Sequence, residues 1–184
     1  WGTVNLALAR KVSGIDLGIV GLGRVGQAIA RRAAAFDMRI AYCDRQEKPE
    51  SGYRYVSDLR ELARSVDVLV LAASADDGKA IVTREVLEAL GPQGYLINVA
   101  RGKLVDEQAL VEALCEQRIA GAGLDVFVDE PNVPPALRDL AQVSLQPHRA
   151  SATLQTRQQM GQIVLDNLAA CFRGELPPQR VTRT

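Results

Sequence analysis

A glycine-rich turn constrains the fold of this chain more than any other stretch of its sequence. The motif Gly21-Leu-Gly23-Arg-Val-Gly26 lies between an apolar run that begins at Asp16 and a segment with helical spacing. A GxGxxG pattern alone is a weak signal, but a strand before it and a helix after it give it meaning. Gly21 permits a tight turn, Gly23 lets the backbone approach a pyrophosphate, and Gly26 allows close helix–strand packing. The alternative is that these glycines form only a structural turn.

The rest of the chain repeats the order strand, helix, strand. Apolar runs predict strands at residues 16–21, 38–43, 67–72, 95–99, 120–126 and 143–145. Helical spacing predicts helices at 24–36, 59–65, 83–90, about 107–117 and about 152–173. In the first helix the apolar side is expected to contain Val25, Ala28, Ile29, Ala33 and Phe36. Repeated βαβ units pack as a parallel sheet with helices on both faces, so we predict an α/β fold with a doubly wound parallel sheet.

The composition argues against several classes of function. The 22 Lys and Arg residues balance 22 Asp and Glu residues, so nothing in the net charge favours nucleic acid or a membrane as a partner. No apolar run approaches the length of a membrane-spanning helix. The chain has three cysteines without a CxxC pair and a single histidine. We therefore predict reduced thiols, a cytoplasmic location and no metal site.

An acidic residue follows the second predicted strand, where a ribose-binding acid is expected. Asp44 lies 18 residues after Gly26, and a carboxylate at such a distance accepts hydrogen bonds from the adenosine ribose of a dinucleotide. It also repels the 2′-phosphate of NADP, whereas Arg45 can pair with that phosphate. We predict NAD as the cofactor and keep NADP as the alternative. Asp44 could otherwise be a solvated charge at the end of a strand.

Three further stretches follow later strands, at the edge where an open α/β sheet binds its ligands. They are residues 98–102, residues 123–127 with the pair Glu130-Pro131, and residues 147–151, which include His148. Histidine exchanges protons near neutral pH, a nearby carboxylate favours its charged form, and arginine binds a carboxylate through two hydrogen bonds. Taken singly, each residue has a simpler interpretation: His148 as a core or surface histidine, and Arg101 and Glu130 as solvated loop charges.

With these four motifs in this order, the chain resembles the cofactor-binding part of the D-isomer-specific 2-hydroxyacid dehydrogenases. Within that family it is most similar to the glyoxylate/hydroxypyruvate reductase-like branch, from about residue 10 to residue 178. The resemblance implies that Arg101 binds the carboxylate and keto oxygen of the substrate. It implies that His148 is the acid/base, with Glu130 as its partner, and that Asp125 holds the nicotinamide carboxamide.

The resemblance also implies a full set of cofactor contacts. The expected residues are Gly21, Gly23, Arg24, Val25, Gly26, Asp44, Arg45, Val99, Ala100, Arg101, Asp125 and His148. In one place the chain departs from the family. After the strand at 67–72 the family often has Pro-Leu-Thr, whereas this chain has Ala73-Ser-Ala-Asp-Asp77. Side-chain contacts to the cofactor there are not carried over.

The resemblance finally predicts how the protein is organised. We expect residues 1–184 to form one dinucleotide-binding domain whose tail, 174–184, returns to a substrate domain with its N-terminal part absent from this chain. The expected activity is the interconversion of a small 2-keto acid and its D-2-hydroxy acid by hydride transfer. The whole protein is expected to be a homodimer, and the chain alone to be poorly active. The alternative is a dinucleotide-sensing binding module, like the corepressors built on the same fold, which can keep all three catalytic residues.

Overall fold

A seven-stranded parallel sheet forms the centre of the computed structural model, which describes residues 8–74 and 78–180. Its strands are β1 (Asp16–Val20), β2 (Arg39–Cys43), β3 (Arg54–Tyr55), β4 (Val68–Leu71), β5 (Tyr95–Asn98), β6 (Gly121–Leu124) and β7 (Val143–Leu145). Their order across the sheet is β3-β2-β1-β4-β5-β6-β7, and every neighbouring pair is parallel. The predicted doubly wound parallel sheet is confirmed.

The helices connect the strands and bury apolar side chains against the sheet. They are α1 (Arg24–Ala34), α2 (Leu59–Arg64), α3 (Arg84–Leu90), α4 (Glu107–Cys115) and α5 (Pro135–Asp139). A further helix, α6 (Leu154–Phe172), follows β7 in the chain. Two separate apolar clusters result. One contains Leu62, Leu87 and Leu110 from α2, α3 and α4. The other contains Ala30 and Ala33 of α1, so helices cover both faces of the sheet.

The buried face of α1 differs from the predicted one. Gly26, Ala30 and Ala33 are buried, whereas Val25 is 56% exposed and Phe36 is 58% exposed. Ala33 is buried as predicted, and Ile29 is partly buried and packs against the same cluster. Val25 lies in the first turn of α1 and Phe36 lies beyond its last residue, and these two stay exposed. Two further elements, β3 and α5, were not predicted. The first has two residues and the second five, which is too short for a periodic pattern to appear.

The position of β1 in the sheet explains where a ligand site forms. The chain leaves β1 to one side for β2 and β3, then returns to the other side of β1 for β4. The connections on the two sides of β1 therefore run in opposite directions, and a crevice opens between the carboxyl ends of β1 and β4. The glycine turn lies at this point, directly after β1.

Two of the three motif glycines are required by close backbone packing. Gly21 has a φ of +88°, and a Cβ there would lie 2.6 Å from the Cα of Ala73, in the segment after β4. A Cβ on Gly26 would lie 2.1 Å from the carbonyl oxygen of Gly21. Nothing lies within 4 Å of the Cβ position of Gly23. Gly21 and Gly26 thus hold the turn, β4 and α1 together, while Gly23 leaves open space above the turn.

The chain divides into two compact units, the first ending at His148 and the second beginning at Arg149. The second unit contains α6, which is close to the predicted helix at 152–173. The expected return of the tail to a substrate domain stays a prediction, and residues 181–184 lie outside the described part. None of the helices in the described ranges has the length and hydropathy to cross a bilayer.

Replacing Gly26 by alanine is expected to lower the free energy of unfolding by about 1–3 kcal/mol, because the new Cβ overlaps a backbone oxygen that cannot move freely. The gain in helix propensity offsets only part of this cost. Gly23→Ala is the matched control, since its φ of −77° suits alanine and its Cβ meets no atom. Urea unfolding followed by circular dichroism measures both. Equal stability of the two variants would contradict the packing role of Gly26.

Candidate active site

An open cleft of about 920 Å³ lies at the carboxyl ends of the strands in the first unit. It is lined by residues from the start of α1 and from the segments after β4, β5, β6 and β7, namely Arg24, Val25, Ala72, Ala73, Ser74, Val99, Ala100, Arg101, Gly102, Lys103, Phe127, Val128, Glu130 and His148. The three predicted catalytic residues are all among them, although they are far apart in the sequence. The cleft is large enough for a nicotinamide and a small acid.

His148 and Glu130 form a direct pair within this cleft. The Nδ1 atom of His148 lies 2.8 Å from the Oε2 atom of Glu130. The backbone holds the histidine in place, since its N–H donates to the carbonyl of Asp125 at 2.8 Å. His148 also has a φ of +49°, a left-handed conformation that is uncommon for a residue other than glycine. The turn after β7 therefore places the imidazole at the loop that follows β6.

The two oxygens of Glu130 accept hydrogen bonds from different groups. One faces His148, and the other accepts from the N–H of Phe127 at 2.9 Å. The hydrogen bond to His148, then the bond from Phe127, with the positive charge of Arg101 as a smaller cause, hold the pKa of Glu130 below its ordinary value. Glu130 is therefore a carboxylate at neutral pH and acts only as an acceptor, so Nδ1 of His148 is the donor. The Nε2 atom remains as the nitrogen that can exchange a proton with a ligand.

The loop that carries Arg101 is shaped by a buried asparagine at the end of β5. Asn98 is 1% exposed. Its Oδ1 accepts from the N–H of Ala100 at 3.0 Å, and its Nδ2 donates to the carbonyl of Arg101 at 3.0 Å. A Cβ on Gly102 would lie 2.0 Å from the carbonyl carbon of Phe127. The loop after β5 thus packs directly on the loop after β6. Arg101 is exposed on this loop, and its guanidinium donates to the carbonyl of Ala100 at 2.6 Å.

Asp44 lies at the other end of the glycine turn, where an adenosine ribose is expected. Its Oδ2 accepts from the N–H of Leu22 at 2.9 Å and from the ammonium of Lys48 at 2.7 Å, and its Oδ1 accepts from the N–H of Arg45 at 2.7 Å. Burial raises the pKa of Asp44, but these three donors more than offset it and hold the pKa below its ordinary value. Asp44 is thus a bound carboxylate with a side chain only 17% exposed.

Asp125 differs from the other predicted site residues in being buried. It is 7% exposed, and its N–H donates to the carbonyl of Asn98 at 3.0 Å. This places its backbone beside the end of β5. Its assignment to the nicotinamide carboxamide stays a prediction, as do the roles of Arg101, Glu130 and His148. Among residues 8–74 and 78–180, no group of three or more His, Cys, Asp or Glu side chains is placed to hold a metal ion.

The sequence reasoning missed several residues that shape the cleft. Lys103, Phe127 and Val128 line it, and Asn98 fixes the arginine loop. Asn98 lay within the motif that pointed to Arg101, and an asparagine two residues before a turn often bonds to the backbone. That signal was available in the sequence. Lys103, by contrast, carried no signal, because one exposed lysine resembles any other.

Removing the side chain of Asn98 tests how the arginine loop is held. Asn98→Ala takes away the acceptor of the Ala100 N–H and is expected to lower the free energy of unfolding by about 1–3 kcal/mol. Asn132→Ala is the control, since Asn132 is exposed and such substitutions usually change stability by less than about 0.5 kcal/mol. Denaturant unfolding of the two variants gives the comparison. A loss no larger than that of the control would contradict the role given to Asn98.

Comparison with known sequences identifies the family. Residues 1–150 match the profile described as D-isomer specific 2-hydroxyacid dehydrogenase, NAD binding domain. The 2-ketogluconate reductase of Gluconobacter oxydans is 48% identical over 173 residues, which cover 94% of this chain and 56% of that protein. Glyoxylate/hydroxypyruvate reductase A of Arabidopsis thaliana is 46% identical over 176 residues, which cover 95% of this chain and 56% of that protein. The chain spans about half the length of these relatives.

Solved structures give the same result. The 2-hydroxyacid dehydrogenase of Ketogulonicigenium vulgare has a TM-score of 0.90 and 46% identity, over 96% of this chain and 56% of that one. The NADPH-dependent glyoxylate/hydroxypyruvate reductase of Sinorhizobium meliloti, in complex with NADP and malonate, has a TM-score of 0.84 and 47% identity. That match covers 94% of this chain and 53% of the other. The resemblance inferred from the four motifs is confirmed, and the chain belongs to the D-isomer specific 2-hydroxyacid dehydrogenase family, as an NAD-binding domain.

Proposed function

We propose that the whole protein is an NAD(P)-dependent oxidoreductase that interconverts a small 2-keto acid and its D-2-hydroxy acid. The observation that carries this proposal is the His148–Glu130 pair, at 2.8 Å, in the same cleft as Arg101. The names of the relatives support the class of reaction, since they are reductases of glyoxylate, hydroxypyruvate and 2-ketogluconate. A glyoxylate- or hydroxypyruvate-like acid is the proposed substrate.

The glycine turn fits a dinucleotide. The first N–H groups of a helix have no partner within the helix, and together with the helix dipole they favour an anion such as a pyrophosphate. Helix α1 begins at Arg24, directly after the turn, and the space above Gly23 is open. We propose that the pyrophosphate lies there, that Asp44 and Arg45 face the adenosine end, and that Val99, Ala100 and Asp125 lie towards the nicotinamide. When bound, the reduced nicotinamide supplies the hydride.

The side chains of the cleft supply the rest of the chemistry. The guanidinium of Arg101 can bind a carboxylate through two hydrogen bonds and polarise the neighbouring keto group. As the keto oxygen gains negative charge, the Nε2–H of His148 can donate its proton to it. The carboxylate of Glu130 stabilises the charged ring before transfer and fixes its orientation. In the reverse direction the same nitrogen takes the proton from the hydroxyl group.

The preferred cofactor stays a prediction. Asp44 favours NAD, which carries a free 2′-hydroxyl group. The Sinorhizobium meliloti relative is NADPH-dependent, and this supports NADP as an alternative. The homodimer and the cytoplasmic location also stay predictions for the whole protein. The paired histidine does not separate an enzyme from a binding module, because such modules can keep the same residues. The enzyme proposal is favoured by the relatives, which are named reductases.

The first test of this proposal concerns the proton donor. In the whole protein, His148→Ala is expected to lower kcat for keto-acid reduction by about 10²–10⁴-fold, because the proton then comes from water rather than from a positioned group. Dinucleotide affinity is expected to change little, since the main contacts with the cofactor lie elsewhere. Steady-state kinetics and NADH titration give the two values. Near-normal kcat across the pH range would show that another group supplies the proton.

The second test concerns the partner of the histidine. Glu130 is charged at neutral pH because its pKa is lowered, and Glu130→Gln removes that charge from the imidazole. The carboxylate that stabilises the charged form of the proton donor is then gone, so the pH dependence of keto-acid reduction is expected to move to lower pH. Oxidation of the hydroxy acid, which needs the uncharged ring, is expected to extend to lower pH.

A matched control separates this effect from a general change in charge. Asp129→Asn removes one negative charge from the neighbouring residue, which is exposed and bonds to Asn132 rather than to His148. Its pH profiles are expected to stay in place. Profiles that move equally in both variants would contradict the assigned role of Glu130.

A further inference from the structure

A lysine connects the strand-end acid to the glycine turn. The Nζ atom of Lys48 lies 2.7 Å from Oδ2 of Asp44 and 2.9 Å from the carbonyl oxygen of Leu22, which is within the GLGRVG motif. The same Oδ2 accepts from the N–H of Leu22 at 2.9 Å. The positive charge of Lys48 therefore lies at the carboxylate that is expected to face the adenosine ribose.

The position of this lysine is built into the fold. Its backbone N–H donates to the hydroxyl of Tyr42 at 2.6 Å, and Tyr42 is completely buried. The Tyr55 hydroxyl donates to the carbonyl of Asp44 at 3.2 Å, and the two tyrosine rings lie 5.4 Å apart. Side-chain exposure is 28% for Lys48 and 17% for Asp44. Lys48 is thus fixed in position by the fold, at the end of the site where the adenosine ribose is expected.

The pairing with Lys48 weakens the repulsion between Asp44 and the 2′-phosphate of NADP. A lone carboxylate at this position repels a 2′-phosphate, which is the reason Asp44 favours NAD. Beside an ammonium at hydrogen-bond distance, the pair has no net charge, so its repulsion of a phosphate is weak. An ammonium also has three donors, and two of those of Lys48 are used by Asp44 and Leu22. A third donor, or the one released from Asp44, can bind an incoming phosphate.

We propose that Lys48 enables the site to accept a 2′-phosphorylated dinucleotide, in addition to Arg45, which can pair with the same phosphate. This inference rests on the proposed dinucleotide site. With NAD(H), Lys48 stays paired with Asp44, whose carboxylate accepts from the ribose hydroxyls. With NADP(H), the ammonium of Lys48 pairs with the 2′-phosphate and separates it from Asp44. The site then accepts both NAD(H) and NADP(H), although Asp44 is present.

The test compares two ligands that differ only in the 2′-phosphate. The 184-residue chain is titrated with NADH and with NADPH, and the fluorescence of the reduced nicotinamide reports binding. Lys48→Met keeps the apolar stem and removes the charge. It is expected to weaken NADPH by about 10–100-fold, the range for losing one charge-assisted hydrogen bond, and NADH by less than about 3-fold, as for a residue outside the direct contacts.

Three control variants show whether the loss of NADPH affinity is due to the charge of Lys48. Lys48→Arg keeps the charge and is expected to keep most of the NADPH affinity. Lys11→Met removes a positive charge ahead of β1, at the opposite edge of the sheet, and is expected to leave the NADPH-to-NADH affinity ratio unchanged. In an Asp44→Asn background, Lys48→Met should still weaken NADPH, because the lysine contacts the phosphate itself. Circular dichroism confirms that each variant is folded.

The outcomes separate this inference from the proposed function. An unchanged ratio in Lys48→Met, with NADH still bound, overturns the role of Lys48 and leaves the oxidoreductase proposal intact. Loss of the effect in the Asp44→Asn background shows that Lys48 acts only through Asp44 and overturns its assignment to the phosphate. If the unchanged chain binds neither nucleotide, the dinucleotide site itself is wrong. An NADPH-to-NADH affinity ratio that is reduced by Lys48→Met in both the unchanged and the Asp44→Asn backgrounds, and is retained in Lys48→Arg, supports the assignment.

Discussion

The parallel hydrogen-bond ladder is the constraint on which the rest of the site depends. It continues beyond the strands: the N–H of Gly21 donates to the carbonyl of Cys43 at 2.8 Å, that of Asp125 to Asn98 at 3.0 Å, and that of His148 to Asp125 at 2.8 Å. Because all strands point the same way, the residues after each strand are set side by side in a fixed register. Groups that are far apart in the sequence are thus spaced by backbone geometry, before any side chain interacts.

Two carboxylates at opposite ends of the site are held in the same way. Asp44 accepts from the N–H of Leu22 and from Lys48, and Glu130 accepts from the N–H of Phe127 and faces the ring of His148. Backbone donors fix the place of each acid: Asp44 has two, because it also accepts from the N–H of Arg45, and Glu130 has one. Each acid also has one side-chain partner, which can change its charge or its contacts. Both have a lowered pKa, so both stay charged near neutral pH. This arrangement lets each partner respond to a ligand while the acid remains in position.

Sequence reasoning found the elements whose signal is local. The turn from Gly21 to Gly26, the strand-end Asp44 and the loop of Arg101 each lie beside an apolar run long enough to define a strand, and the sheet edge then brings them together. It failed where the decisive contact joins distant segments. The turn at Gly21 packs against the segment after β4, where a Cβ on Gly21 would lie 2.6 Å from the Cα of Ala73. The position of Lys48 depends on the carbonyl of Leu22, 26 residues earlier in the chain. No spacing rule encodes such contacts.

The exposure of His148 and Glu130, the proposed catalytic pair, bears on what the chain can do alone. The side chain of His148 is 49% exposed and that of Glu130 is 34% exposed, and water screens an ion pair at this depth so that it contributes little. Efficient proton transfer beside a hydride donor requires a drier environment, in which the same charges interact more strongly. The relatives have nearly as much chain again beyond the part matched here. We propose that corresponding segments of the whole protein supply that cover, so that this chain sets the position of the pair and the rest of the protein excludes water from it.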